Sequence, residues 1–327
     1  MTNIVLEDIY NIISCKLEYR YMEIIDAFIS SSTKKELVYT SFDGDYMAFI
    51  PLMQHFVLKE MGMIPINPEA ALGYYLSTTI HHNQKAAVMR DCINLELMCD
   101  RLAVFKHPVD DYYPDGVIAE TISWVNEGIN KIQSVAIISL PDFQFNNSKL
   151  QYAKDIDLST KLDIDEFTRE RCNDGSCVDE IKQRLECSRS SKIKMAYLIS
   201  NMSNYKHLDW VRRYCYENEY CPVSPYNLLP IDLYELPANN EQVFIDYIKD
   251  RLTILNKCDV IVISVDGRNL SKNERECPFD LIVLMELYYY FKSCNHKEII
   301  ILDYADIHVP KYERVVEWAL TKEDQNK

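Results

Sequence analysis

The sequence answers itself, and that internal repeat limits the folds open to the chain. Tyr39, in Val38-Tyr-Thr-Ser41, is answered by Tyr197, in Ala196-Tyr-Leu-Ile-Ser200. Pro65-Ile-Asn-Pro68 is answered by Pro222-Val-Ser-Pro225, 157 residues later. Asp91 and Cys99-Asp100 are answered by Asp250 and Cys258-Asp259, 159 residues later. Glu120 is answered by Glu286, 166 residues later, after a longer loop. Four landmarks in one order, at offsets between 157 and 166 residues, mark a duplicated structural unit.

Each unit alternates strand-like and helix-like segments. In the first, strands are expected at 37–41, 63–66, 100–105 and 134–140, with helices between them. In the second, strands are expected at 196–200, 259–264 and 298–302, with a terminal helix over 312–320. Alternation of this kind implies α/β domains, each with a parallel sheet flanked by helices. Residues 4–29 carry apolar side chains at helical spacing, with a break near Cys15 to Leu17, and read as an N-terminal packing arm. Residues 145–192 are polar, charged and too long for an ordinary loop, and read as a connector with one or two short helices. The expected organisation is an arm over 1–35, a first domain over 36–144, the connector over 145–192 and a second domain over 193–327.

Composition removes several classes of function. Seven glycines in 327 residues leave no G-x-x-x-x-G-K-[ST] and no G-x-G-x-x-G, so glycine-built phosphate cradles are absent. A net charge of −15 argues against a nucleic-acid-binding face. Apolar runs are only strand-length, which predicts no membrane span. The opening Met-Thr-Asn-Ile-Val-Leu-Glu-Asp has no basic region or cleavage pattern, so no signal peptide is expected. Eleven cysteines, an odd number scattered through apolar segments, fit buried free thiols in a reducing cytoplasm. Cys172, Cys177 and Cys187 lack a partner pair or a nearby histidine, and read as loop thiols more readily than as a metal site.

Glu120 and Glu286 concentrate the functional signal. Each sits near the start of a helix that follows a buried strand, and that strand edge is where open parallel sheets bind ligands. Asp115 is expected to cap the helix that carries Glu120. For Glu120 alone, an exposed helix-face glutamate is the bland reading. Its repeat as Glu286, which lies in the apolar run Leu281 to Phe291, favours pocket carboxylates. Asp43-Gly-Asp45 could approach a sugar hydroxyl or simply make the turn after the first strand.

These residues together resemble the nucleoside 2-deoxyribosyltransferase superfamily, which includes nucleotide N-glycosidases. The resemblance covers residues 36–140 and 193–305. It rests on a strand tyrosine, P-x-x-P, an aspartate ahead of a C-D-strand, and D-G-x-x-x-E or D-x-x-x-x-M-E-L. It implies small flavodoxin-like sheets and a glutamate that attacks the anomeric carbon of a nucleoside, nucleotide or dinucleotide. By that resemblance Glu120 and Glu286 would be nucleophiles, with Asp91 and Asp280 as further acidic catalytic residues. Tyr39, Ser41, Asp43, Asp115, Gly116, Tyr197, Ser200 and Asp250 would line the ligand. No metal or organic cofactor is needed. An internal pseudo-dimer is implied, with room for a homo-oligomer.

The chain also departs from the pattern. The family's aspartate lies eight residues before the strand aspartate. Here those positions are Cys92 and Arg251, and Asp91 and Asp250 lie nine before. A helix turns about 100° per residue, so one position redirects the carboxylate. Ile282 and Leu284 stand where glycine is usual. Two functions therefore remain open at this point: N-glycosidic cleavage or deoxyribosyl transfer, or a degenerate nucleotide-binding or interaction module. A degenerate module predicts carboxylates neutralised by Arg or Lys.

Overall fold

The computed structural model describes residues 6–31, 34–72, 82–106, 113–127, 135–139, 151–155, 193–200, 208–230, 240–265 and 279–303, with 179, 181–182, 185–186, 234 and 277. The expected terminal helix at 312–320 and the cysteines at 172, 177 and 187 lie outside these residues. The chain divides into two compact units. The first is Lys35–Ile193, and the second joins Met1–Lys34 to Lys194–Lys327.

In the first unit, strands β1 (Leu37–Ser41), β2 (Ile64–Ile66), β3 (Arg101–Lys106), β4 (Val135–Ser139) and β5 (Gln151–Asp155) form one sheet in the order β2-β1-β3-β4-β5. The first four strands are parallel. All five residues of β1 are buried, as expected of a central strand covered on both faces. A short 3-10 turn over Gly44–Phe49 leads into α3 (Ile50–Lys59). Gly62, with φ 65°, then turns the chain into β2. Helices α4 (Pro68–Leu72), α5 (His82–Met98) and α6 (Asp115–Glu127) complete the set before β4. Strand β5 corrects the reading of 145–192 as loop and helix alone. It pairs antiparallel to β4, across a register irregularity at Ile137/Ile138. The polar sequence Gln-Tyr-Ala-Lys-Asp has no apolar alternation and suits a sheet edge.

The second unit repeats the plan. Strands β6 (Lys194–Ile199), β7 (Tyr220–Val223), β8 (Val260–Val265) and β9 (Glu298–Asp303) form an all-parallel sheet in the order β7-β6-β8-β9. Its helices are α7 (Leu208–Glu217), α8 (Pro225–Leu228), α9 (Glu241–Lys257) and α10 (Leu281–Tyr289), the last continuing through a π-helical turn at Tyr290–Cys294. The fold is α/β, with two tandem flavodoxin-like parallel sheets. The registers also match: Val38 faces Pro65 and Tyr39 faces Ile66, just as Ala196 faces Pro222 and Tyr197 faces Val223. At the opposite end of the strands, Asp100 accepts from the Leu37 amide at 3.0 Å and Asp259 from the Met195 amide at 2.9 Å. The paired aspartates thus fasten each third strand to its first.

The N-terminal arm is two helices, α1 (Leu6–Lys16) and α2 (Tyr19–Ser30), broken at the extended Glu18. It packs on α10, within the second unit. The Phe28 and Tyr289 rings lie 5.8 Å apart, Tyr10 meets Phe291 edge-on at 5.3 Å, and the Tyr288 hydroxyl lies 3.3 Å from both Asp26 carboxylate oxygens. The arm covers a helix in which eight of nine residues are buried, a face that water would otherwise meet. Replacing the buried Phe28 by alanine should lower stability by about 3–5 kcal/mol, read from chemical denaturation.

Candidate active site and its counterpart

In each unit the strand order reverses between the first and third strands, at β1/β3 and at β6/β8. Such a reversal leaves a crevice at the carboxyl ends of the strands. In the first unit α6 follows β3 and carries Glu120 beside β1. The Tyr39 hydroxyl donates to Glu120 Oε1 at 2.7 Å, and the Ser41 hydroxyl donates to Oε2. Both oxygens of a carboxylate that is only 5% exposed are thereby held by two side chains of one strand. Burial, with the neighbouring Cys92 and Glu120, pushes the Tyr39 phenol well above its ordinary range, so it remains a donor.

Three further groups act on the Tyr39–Glu120 pair. Cys92, on α5, is buried, and burial together with the charges of Glu120 and Glu69 holds its thiol protonated. Such a thiol is not a nucleophile. Glu96 is buried on the same helix, and its charge also reaches Tyr39. Glu69 is the residue that sequence reasoning missed. It lies in the first turn of α4, directly after β2. Burial, reinforced by the charge of Glu120, raises its carboxyl to about 8. Its Oε2 is shielded from solvent and has no hydrogen-bond partner among the described residues. Asn67 sets its position: its amide donates to Thr40 Oγ1 at 3.1 Å, and its Oδ1 accepts from the Ala70 amide at 3.0 Å.

The other predicted residues of the first unit are distributed around this centre. Asp91 is buried, and its carboxylate accepts from Arg90 Nε at 3.1 Å. Asp115 and Gly116 open α6 one turn ahead of Glu120 and are partly buried. Asp43 is partly buried where the chain leaves β1.

The second unit reproduces the framework and reverses its electrostatics. The Tyr197 hydroxyl donates to Glu286 Oε1 at 2.6 Å, as Tyr39 does to Glu120. The same oxygen accepts from Arg251 Nε at 2.7 Å, and both side chains are 0% exposed. Arg251 holds the position of Cys92. Its guanidinium lies 4.4 Å from the centre of the Tyr226 ring, and its Nη1 donates to the Tyr247 hydroxyl at 3.0 Å. Tyr226 itself holds the position of Glu69, 157 residues later, within the repeated Pro-x-x-Pro segment. Burial pushes the Glu286 carboxyl up, and the Arg251 guanidinium and Tyr197 hydroxyl pull it part of the way back. Arg251 stays cationic, because Glu286 and the surrounding tyrosines outweigh the effect of burial.

The remaining predicted residues here have local partners. Asp280 caps α10, accepting from the Val283 amide at 2.9 Å. Asp250 accepts from the Tyr234 hydroxyl at 2.7 Å. Ser200 accepts from Ser264 at 3.2 Å, while Ile199 occupies the place equivalent to Ser41.

The eight described cysteines are free thiols, and no three of the described His, Cys, Asp and Glu residues are grouped to hold a metal ion. No helix among the described residues is long and apolar enough to cross a membrane. No protein family, curated protein or solved structure matches the chain.

Two measurements test this electrostatic contrast. Arg251→Met leaves a buried carboxylate without its cation and should cost about 3–5 kcal/mol, whereas the double change Arg251→Met with Glu286→Leu should recover most of that loss. For Glu69 the proton is held in the folded chain up to about 8 but lost near 4.5 when unfolded. Its stabilising contribution is therefore full at low pH and disappears as pH rises through about 8. Thermal unfolding across that window should show the wild type losing stability relative to Glu69→Gln as pH increases.

Proposed function

We propose that the first unit cleaves the N-glycosidic bond of a nucleoside or nucleotide, with Glu120 as nucleophile, and that the second unit is a non-catalytic counterpart. The observation that carries this reading is Glu120 itself: a carboxylate at the strand-order reversal, with one oxygen held by Tyr39 and the other by Ser41. Cleavage at an anomeric carbon develops positive charge on the sugar. An oriented anion stabilises that charge and can capture the carbon as an ester. Water or a second base then resolves the ester, which gives hydrolysis or transfer.

The resemblance to nucleoside deoxyribosyltransferases supports this chemistry from the sequence side, because the tyrosine and glutamate that carry it meet in both units. A non-catalytic second unit follows from Arg251. A guanidinium bonded to Glu286 consumes the negative charge that an anomeric centre would need, and the Tyr226 ring lies 4.4 Å from that guanidinium. The substrate class is nucleosides, nucleotides or a dinucleotide.

The test is chromatographic release of free base from nucleosides, 5′-monophosphates and NAD. Wild type should release base from at least one class. Glu120→Gln should lose roughly a thousandfold or more in rate with its fold retained, whereas Glu286→Gln should release base at a rate close to wild type. Absence of release by wild type from every compound, or equal rates for Glu120→Gln and wild type, overturns the reading.

A further inference from the structure

Resting on that reading, we propose that Glu69 is the acid that protonates the departing base, and the base that then activates the acceptor. A purine or pyrimidine leaves as an anion unless a proton reaches it, so cleavage at neutral pH calls for a positioned acid. The acidic residue suggested by sequence, Asp91, has its carboxylate taken up by the adjacent guanidinium of Arg90. The neighbouring position that the resemblance marks as acidic is the thiol of Cys92. Glu69 has three properties that bear on this role. It stands at the carboxyl edge of the sheet, where Asn67 fixes the turn that carries it. One of its oxygens is shielded from water and has no partner among the described residues. In the repeated framework its position is that of Tyr226, which lies 4.4 Å from the guanidinium bonded to the second glutamate.

The counterpart supports the assignment independently. Where the second unit places Arg251 against its glutamate, the residue at the Glu69 position is Tyr226, stacked on that guanidinium. The carboxyl is thus absent in the unit whose glutamate is already neutralised.

The step balances without a further reagent. A Glu120 oxygen bonds to the anomeric carbon as the bond from that carbon to the base nitrogen breaks. The electron pair goes to the base, and the Glu69 proton follows it. Glu120 becomes a neutral ester and Glu69 becomes the anion, so the site carries one negative charge before and after. Esterification removes the charge that helped Glu69 keep its proton, so release of the proton is favoured as the nucleophile is consumed. In the second half, Glu69 takes a proton from the incoming water or base, and Glu120 is regenerated as a carboxylate.

The experiment uses the full chain and whichever compound the panel shows to be cleaved, with Glu69→Gln, Glu69→Asp and Glu120→Gln. Gln reproduces the shape of the protonated carboxyl, and folding is checked by thermal unfolding at about pH 5. Glu69→Gln should lower kcat about a hundredfold or more with little change in KM, and should abolish the fall in wild-type kcat as pH rises through the range in which Glu69 deprotonates. Glu69→Asp should restore part of the rate. A nitrophenyl riboside, whose phenolate leaves without a proton, should be cleaved by Glu69→Gln within a fewfold of wild type. An unchanged pH profile and rate in Glu69→Gln, or equal losses on the natural and nitrophenyl substrates, overturns the proposal while leaving Glu120 as nucleophile. Undiminished release by Glu120→Gln overturns both.

Discussion

A carboxylate withdrawn from water has to be met by something, and this chain meets two equivalent carboxylates in opposite ways. Isolated charges are costly in an apolar interior, so each must find donors, a cation or a proton. Both glutamates receive a tyrosine hydroxyl from the first strand of their sheet. The first then receives Ser41, with Glu69 nearby as a protonated carboxyl. The second receives Arg251. A proton can leave its site during a reaction and return. A guanidinium clamped by Glu286, Tyr247 and the face of Tyr226 cannot.

The sheet makes these meetings possible. Strand order β2-β1-β3-β4 brings three connections to one edge: the end of β1, the turn from β2 into α4, and the helix that follows β3. Tyr39 and Ser41 stand on β1 itself, while Glu69 and Glu120 stand on the helices that follow β2 and β3. The opposite edge is reserved for stability, where Asp100 and Asp259 fasten strands through backbone amides. Side chains at the edge that carries Glu120 and Glu286 can therefore differ between the units without loosening strand pairing.

Much of this was legible in the sequence, for reasons particular residues make clear. Buried parallel strands are continuous apolar runs, so β1, β3, β6 and β8 are found by composition alone. The repeat placed Tyr39, Glu120, Tyr197 and Glu286 as corresponding residues before any contact was known. Other features depend on distance in space. Arg251 was visible as a departure from the family pattern, but its pairing with Glu286, 35 residues away, requires α9 to lie against α10. Glu69 stands in a five-residue helix with no periodicity to single it out; aligning the two Pro-x-x-Pro segments and noticing Glu against Tyr would have been the available signal. Asp280, matched by sequence to an acidic position ahead of Glu286, also accepts from the Val283 amide as a helix cap, a role set by where α10 begins. Strand β5 was hidden because an edge strand need not be apolar, and the docking of α2 on α10 because an amphipathic helix announces a buried face but not what buries it.

The contrast between Glu69 with Cys92 and Tyr226 with Arg251 limits how one arrangement could become the other. Turning the second into the first would take two steps that fail separately. Removing the arginine first strands a buried anion, and replacing Tyr226 by a carboxyl first removes the ring that lies over the guanidinium. A unit so arranged is held by a ratchet: its stability depends on the buried Arg251–Glu286 pair. Selection for folding alone is then enough to keep that pair in the second unit.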